Sequence, residues 1–267
     1  MRSNDAYRYF MGVALGCCVL EFSNESSALV QLTAAHANPG ALEETTPVID
    51  VGEEKKFKKA LRFFIGTLDA VIERAWDDNA LPFLHTALVF LFHVSSSEAA
   101  MERIEGEVPW KRIAQMMDIF MKKCEKAKFE PQFHGKEIPP PHKGETQLRL
   151  PEDYAMRGLI WSENVYPKKW FGGETQDEEE KYFNLPSMAM VRCERMLWLC
   201  KRMAGTSKWL TWDDIKKRFS VASRYDKEVS PVPTGPPDAA QGMGEIVKPV
   251  SAMNDFVPMA DVESSIP

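Results

Sequence analysis

The 267-residue chain lacks the short spacing patterns on which most recognisable chemistry rests. None of its five cysteines pair as CxxC, and the odd number fits a reduced intracellular compartment better than a disulfide framework. No GxxxxGK[ST] or GxGxxG loop is present to cradle phosphates, and no GxSxG elbow to carry a nucleophilic serine. An excess of positive charge is missing too. Lys+Arg 33 against Asp+Glu 39 gives a net charge of −6, so any nucleic-acid contact must come from local patches. The longest stretch without Asp, Glu, Lys or Arg, Asn79–Ser97, holds Pro82, His85, His93 and three serines. A membrane span wants about 20 cleanly apolar residues, so this reads as a buried helix. Strand-type alternation never lasts more than a few residues, and no internal repeat is regular.

What remains is helical period. Between Glu53 and Trp76 apolar residues recur at three- and four-residue intervals (Phe57, Leu61, Phe64, Ile65, Leu68, Ile72). Leu81–Val94 is apolar on all faces, as in the middle of a bundle. Pro109 suits the first turn of a helix running to about Lys128, and another is expected over Ser187–Ala204. Thr211 and Asp214 resemble a helix-opening cap, which predicts a short helix ending near Phe219. The run Tyr9–Leu20 imitates a secretory signal, but Asp5 lies in its leader and no small-x-small cleavage site follows. An amphipathic or buried helix is the better expectation. Gly135–Gln147, with three consecutive prolines, reads as a stiff connector, and the tail 229–267, with seven prolines in 39 residues, as disordered. The class is all-α.

Catalytic constellations are weak. His85 and His93 lie eight apart and Cys193 and Cys200 seven apart, neither a zinc spacing, so core placement is expected. Four consecutive carboxylates, Asp177–Glu180, diverge and read as solvated surface. No enzyme activity, metal, cofactor or small-molecule substrate is indicated. Binding has more support. Lys111–Lys128 carries six basic and two acidic residues, and Arg195–Glu228 nine and four. Such helical surface either tracks phosphates or is ordinary solvated face. The candidate contacts are Lys111, Arg112, Lys122, Lys123, Lys126, Lys168, Lys169, Lys201 and Arg202. Trp161, Trp170, Trp209 and Trp212 either stack bases or, as is more common, close a helical core.

Two stretches carry a resemblance beyond class. His85–Phe120 (HTALVFLFHVSSSEAAMERIEGEVPWKRIAQMMDIF) places VPW at the opening of a basic helix. Leu150–Phe171 (LPEDYAMRGLIWSENVYPKKWF) follows LPED with RG. Together with the Arg192–Arg202 helix they resemble the DNA/RNA-binding region of the Ever Shorter Telomeres family, which includes the SMG adaptors of nonsense-mediated mRNA decay, in a fungal-type member. The resemblance spans about residues 55–220 and implies stacked antiparallel helical hairpins, a tetratricopeptide-like α-α superhelix. It implies a non-catalytic adaptor binding single-stranded RNA or DNA, and protein partners of the telomerase or mRNA-decay machinery, in nucleus or cytoplasm. It divides the chain into an N-terminal remnant (1–50), a DNA/RNA-binding-type domain (51–228) and the tail. The family's 14-3-3-like module would need more chain than precedes Val51, and nothing past Glu228 matches a PIN nuclease, as in a truncated or reduced member. The motif positions are Pro109, Trp110, Leu150, Pro151, Glu152, Asp153, Arg157 and Gly158. Physically, Glu152 and Asp153 suit a helix start, and Arg157 is placed to pair with Asp153 one turn on, which makes the motif a structural clamp more than a nucleic-acid contact. A helical protein–protein scaffold, supported by fourteen Met and the net negative charge, is the alternative.

Overall fold

The Tyr9–Leu20 run folds as α1 (Ala6–Val19), packed against the helices that follow rather than standing alone. Then come α2 (Ala28–Ala37), α3 (Val51–Ile72), α4 (Leu81–Ser95), α5 (Glu98–Glu102), α6 (Trp110–Lys126), α7 (Pro151–Met156) and α8 (Met188–Ala204). A two-stranded antiparallel hairpin closes the order, β1 (Leu210–Asp213) and β2 (Arg218–Val221). The computed structural model describes residues 6–24, 26–37, 51–143, 148–172 and 184–236. Contacts group Met1–Pro236 as one unit and Pro237–Pro267 as another, and the second lies outside the described residues. So do the carboxylate run Asp177–Glu180 and the end of the connector, residues 144–147. No described helix is long and apolar enough to cross a membrane.

The core is centred on α4, which buries thirteen of its fifteen residues because α1, α3, α5 and α8 all lie against it. Glycine brings α1 close: a Cβ on Gly12 would stand 2.9 Å from the Thr86 side chain, and one on Gly16 3.2 Å from Phe90. Thr86 cannot swing aside freely, since its hydroxyl donates to the Pro82 carbonyl at 2.9 Å. Beneath this contact Phe64, Phe90 and Trp161 pack edge to face, with centroids 5.0 and 6.0 Å apart.

The fold is mostly helical, but the short helix expected from Thr211 to Phe219 is a β-hairpin. One local chemistry serves both structures. Asp213 Oδ1 accepts the N–H groups of Ile215 and Lys216, each at 2.9 Å, as a cap would, but here the bonds hold a turn. Side chains alternating across Leu210, Trp212, Phe219 and Val221 then put a period of two against α6 and α8. The start of the expected loose tail is fastened as well. Val232 is 6% exposed, and its N–H donates to Gln115 Oε1 on α6 at 3.2 Å. Residues 135–143 of the connector run beside α8, where Trp198 Nε1 donates to the Gly135 carbonyl.

Candidate nucleic-acid interface

The sequence motifs build the scaffold on which the basic residues are mounted. Trp110 opens α6, is 1% exposed, and stacks on Trp209 at 5.9 Å. Leu150 precedes α7, and Asp153 reaches back to accept the Leu150 N–H at 2.9 Å, satisfying a helix-start donor. Glu152 and Asp153 are fully buried. Glu152 takes a two-pronged bond from Arg192 (Nε 2.7 Å, a terminal nitrogen 2.9 Å) and lies 3.0 Å from His85 Nδ1. Asp153 accepts from Arg195 at 2.7 and 2.8 Å and from the Tyr166 hydroxyl at 2.9 Å. Arg192 also donates to Asn184 Oδ1 and Arg195 to the Leu148 carbonyl. Burial alone would raise the Glu152 carboxyl, but the Arg192 charge and the bonds from Arg192 and His85 hold it far below the usual carboxylate range. Burial and the Asp153 charge push the Tyr166 hydroxyl well above its ordinary value, so it stays a donor.

These contacts correct the expected local pair. Asp153 pairs with Arg195 on α8, not with Arg157, which is exposed with its guanidinium 5.3 Å from the Phe171 ring. A carboxylate at the buried start of α7 faces the core, whereas Arg157 leaves the helix at its solvent end. Gly158 carries a φ of +81°, a left-handed turn suited to glycine, which ends α7 sharply. Sequence reasoning missed the partners on α8, although a signal exists. Arg192 and Arg195 fall four and seven residues after Met188, in phase with the apolar stripe, where a charge must find a buried partner.

The candidate cations divide between paired and open settings. Lys111 pairs with Asp226 at 2.8 Å, Arg112 with Asp69 and Glu73 at 2.9 and 3.1 Å, and Lys123 with Asp78. Lys201 stands 5.1 Å over the Trp212 ring and 3.9 Å from Asp214. Lys122, Lys126, Lys168, Lys169 and Arg202 are exposed and carry no ion pair among the described residues. The structure brings Lys122 and Lys126 together at the end of α6, while Lys111 and Arg112 lie at its start and Lys168 and Lys169 in the loop after α7. Between the end of α6 and the β1–β2 turn runs an open groove of about 720 Å³, lined by Lys122 and by Lys128, Lys216, Lys217 and Arg218, which the sequence-based candidate set lacked. It is formed by two turns remote in sequence, so no single window shows it.

Three of the four tryptophans considered for stacking, Trp161, Trp170 and Trp209, are buried; Trp212 is half-buried beside Phe133, His134 and Phe219. Burial lowers the His134 ring from its ordinary value, aided by the charges of Lys201 and Lys217. Among the described residues no group of three or more His, Cys, Asp or Glu is placed to hold a metal ion. Cys124, Cys193 and Cys200 are buried; burial pushes the Cys124 thiol up to about 11 and the other two further. None of these three is a thiolate nucleophile at neutral pH. No protein-family model, curated protein or solved structure matches the chain.

Proposed function

We propose that the protein is a non-catalytic adaptor that binds single-stranded RNA or DNA together with protein partners, acting in telomere maintenance or nonsense-mediated mRNA decay in the nucleus or cytoplasm. The observation that carries this reading is the open cationic surface at the end of α6, where Lys122 and Lys126 are exposed without ion pairs among the described residues and Lys122 shares a groove with Lys128, Lys216, Lys217 and Arg218. Exposed lysines that outnumber the carboxylates on one face of an otherwise acidic protein favour a polyanionic partner. The VPW and LPEDxxxRG motifs support the same family reading, which implies stacked antiparallel hairpins in a tetratricopeptide-like array.

Fluorescence-anisotropy titration of the full chain with labelled single-stranded RNA and DNA at two salt concentrations tests the reading. Saturable binding that weakens steeply with salt is expected. A folded chain that binds neither strand overturns it in favour of a protein–protein scaffold. One observation favours that second reading: Phe10 and Met11 of α1 are 46% and 41% exposed, and Met11 borders a pocket floored by Val71 and Phe83.

A further inference from the structure

Two groove lysines have a backbone geometry that ordinary turn chemistry does not favour. Lys128 has a φ of 55° and Lys217 a φ of 50°, left-handed conformations that strain a residue bearing a β-carbon and that glycine adopts freely. At Lys128 the setting is a complete helix-closing motif. Its N–H donates to the Glu125 carbonyl at 3.0 Å, and the Phe129 N–H donates to Cys124 at 2.9 Å, which makes Lys128 the position that glycine usually fills. Lys217 closes the four-residue turn between the Asp213–Arg218 pair, again in the left-handed place. Strained residues persist where the surrounding structure or the function holds them. Of the six non-glycine residues with such a φ among the described ones, two, in unrelated turns, line one groove and both are lysine; Lys169 and the other three lie elsewhere.

We infer that this groove is the phosphodiester-binding site and that Lys128 and Lys217 are the cations that track the strand; the inference rests on the adaptor reading above. Acidic groups share the wall, namely Asp118, Glu125 and Glu130, and Arg218 Nε neutralises Asp118 at 3.1 Å. Lysines are compact point charges on flexible stems, suited to a chain of singly charged phosphates. Lys217 also acts on His134, whose ring lies 5.8 Å from that of Trp212, with Lys201 above the indole. His134 and Trp212 lie outside the groove wall, so only a strand that runs on past Lys217 would bring its bases to these rings, and an acidic peptide would make no use of them.

The test substitutes Lys128→Gly, Lys217→Gly and Lys217→Asn in the full chain, titrated with fluorescein-labelled oligouridine and oligothymidine of about 20 nucleotides at several salt concentrations. Each variant is expected to lose about three- to tenfold in affinity and to reduce the salt slope by about one. The glycine variants should melt no lower than the parent, because the strain is relieved, and Lys217→Asn tolerates the same backbone without the charge. If the parent binds and the variants match it in affinity and slope, the inference is overturned while the adaptor reading stands, its interface then lying at Lys168, Lys169 or Arg202. If the parent binds neither oligonucleotide, both fall. If labelled polyglutamate binds as tightly as oligouridine and loses affinity equally in the variants, the occupant is an acidic protein segment and the inference is overturned.

Discussion

The α7–α8 junction and the groove at the end of α6 use the same kinds of charge in opposite surroundings. At the junction two arginines meet two carboxylates with no side chain more than 2% exposed, and five of the six guanidinium nitrogens have an assigned acceptor. At the groove the lysines stand in solvent; among the described residues Lys122 and Lys128 have no carboxylate at ion-pair distance, and Lys216 has only Asp213 at 3.8 Å. Buried charges are costly to leave unpaired, so the junction fixes the geometry of α7 against α8 and offers nothing to a ligand. Exposed charges contribute little to stability, and their open valence is what a partner can use. Position in the fold, more than residue type, decides which charges hold the molecule and which can bind.

The sharpest break in that comparison is to remove one member of a buried pair. Glu152→Ala or Arg192→Ala should cost about 3–5 kcal/mol in denaturant unfolding, because the remaining partner is stranded. Glu152→Leu combined with Arg192→Met should cost less than either alanine variant alone. Losses that simply add would deny the coupling.

A second test contrasts two histidines on α4. His85 has a carboxylate partner, whereas both ring nitrogens of the 8%-exposed His93 lack a hydrogen bond among the described residues. Burial lowers the His93 ring to about 4, so the unfolded chain takes up its proton near pH 6.5 and the folded chain does not until about 4. The unfolded state therefore binds more protons across that window, and stability contributed by neutral His93 is lost as pH falls from 6.5 to 4, by about 3 kcal/mol in all. His93→Leu should remove that portion of the acid sensitivity, measured as denaturant midpoints at pH 7 and pH 5. Glu152 adds a separate loss at lower pH. Its folded carboxyl titrates far below the unfolded one, so its contribution is complete above the ordinary glutamate range and fades as pH drops beneath it.

The smallest expected effect on stability belongs to the groove. Lys122→Glu with Lys126→Glu should shift unfolding by no more than about 0.5 kcal/mol while weakening RNA binding and flattening its salt dependence. A large drop in stability would erase the distinction between holding and binding charges.

Much of the helical framework is legible in the sequence, because α3 and α6 each bury a stripe of helical period, and α4 and α8 an almost unbroken run, that a window of twenty residues contains. The hairpin is not, since an aspartate that accepts the next N–H groups opens a turn as readily as a helix, and only packing on α6 and α8 selects the strand period. LPED is visible as a motif, and its helix start follows from dipole reasoning, whereas the local Asp153–Arg157 pair that the sequence suggests for the clamp is replaced in the structure by a pair with Arg195. Its partners escape, because Arg192 lies forty residues away and a nearer cation, Arg157, offers a plausible local pair. The groove escapes for the same reason: Lys122 is visible on a basic helix, but its neighbours Lys216 and Lys217 arrive from a turn some ninety residues on.

The all-round burial of α4 sets a condition on how the protein is made. As the chain leaves the ribosome, α1 and α3 are already available to α4, but α8 is roughly a hundred residues away. At about 5–20 residues per second that is an interval of about 5–20 s in which the face destined for α8 has no native cover. Synthesis of this protein therefore leaves an apolar face open that its finished surface does not reveal, and slowing translation between Ser95 and Met188 should lower the soluble yield.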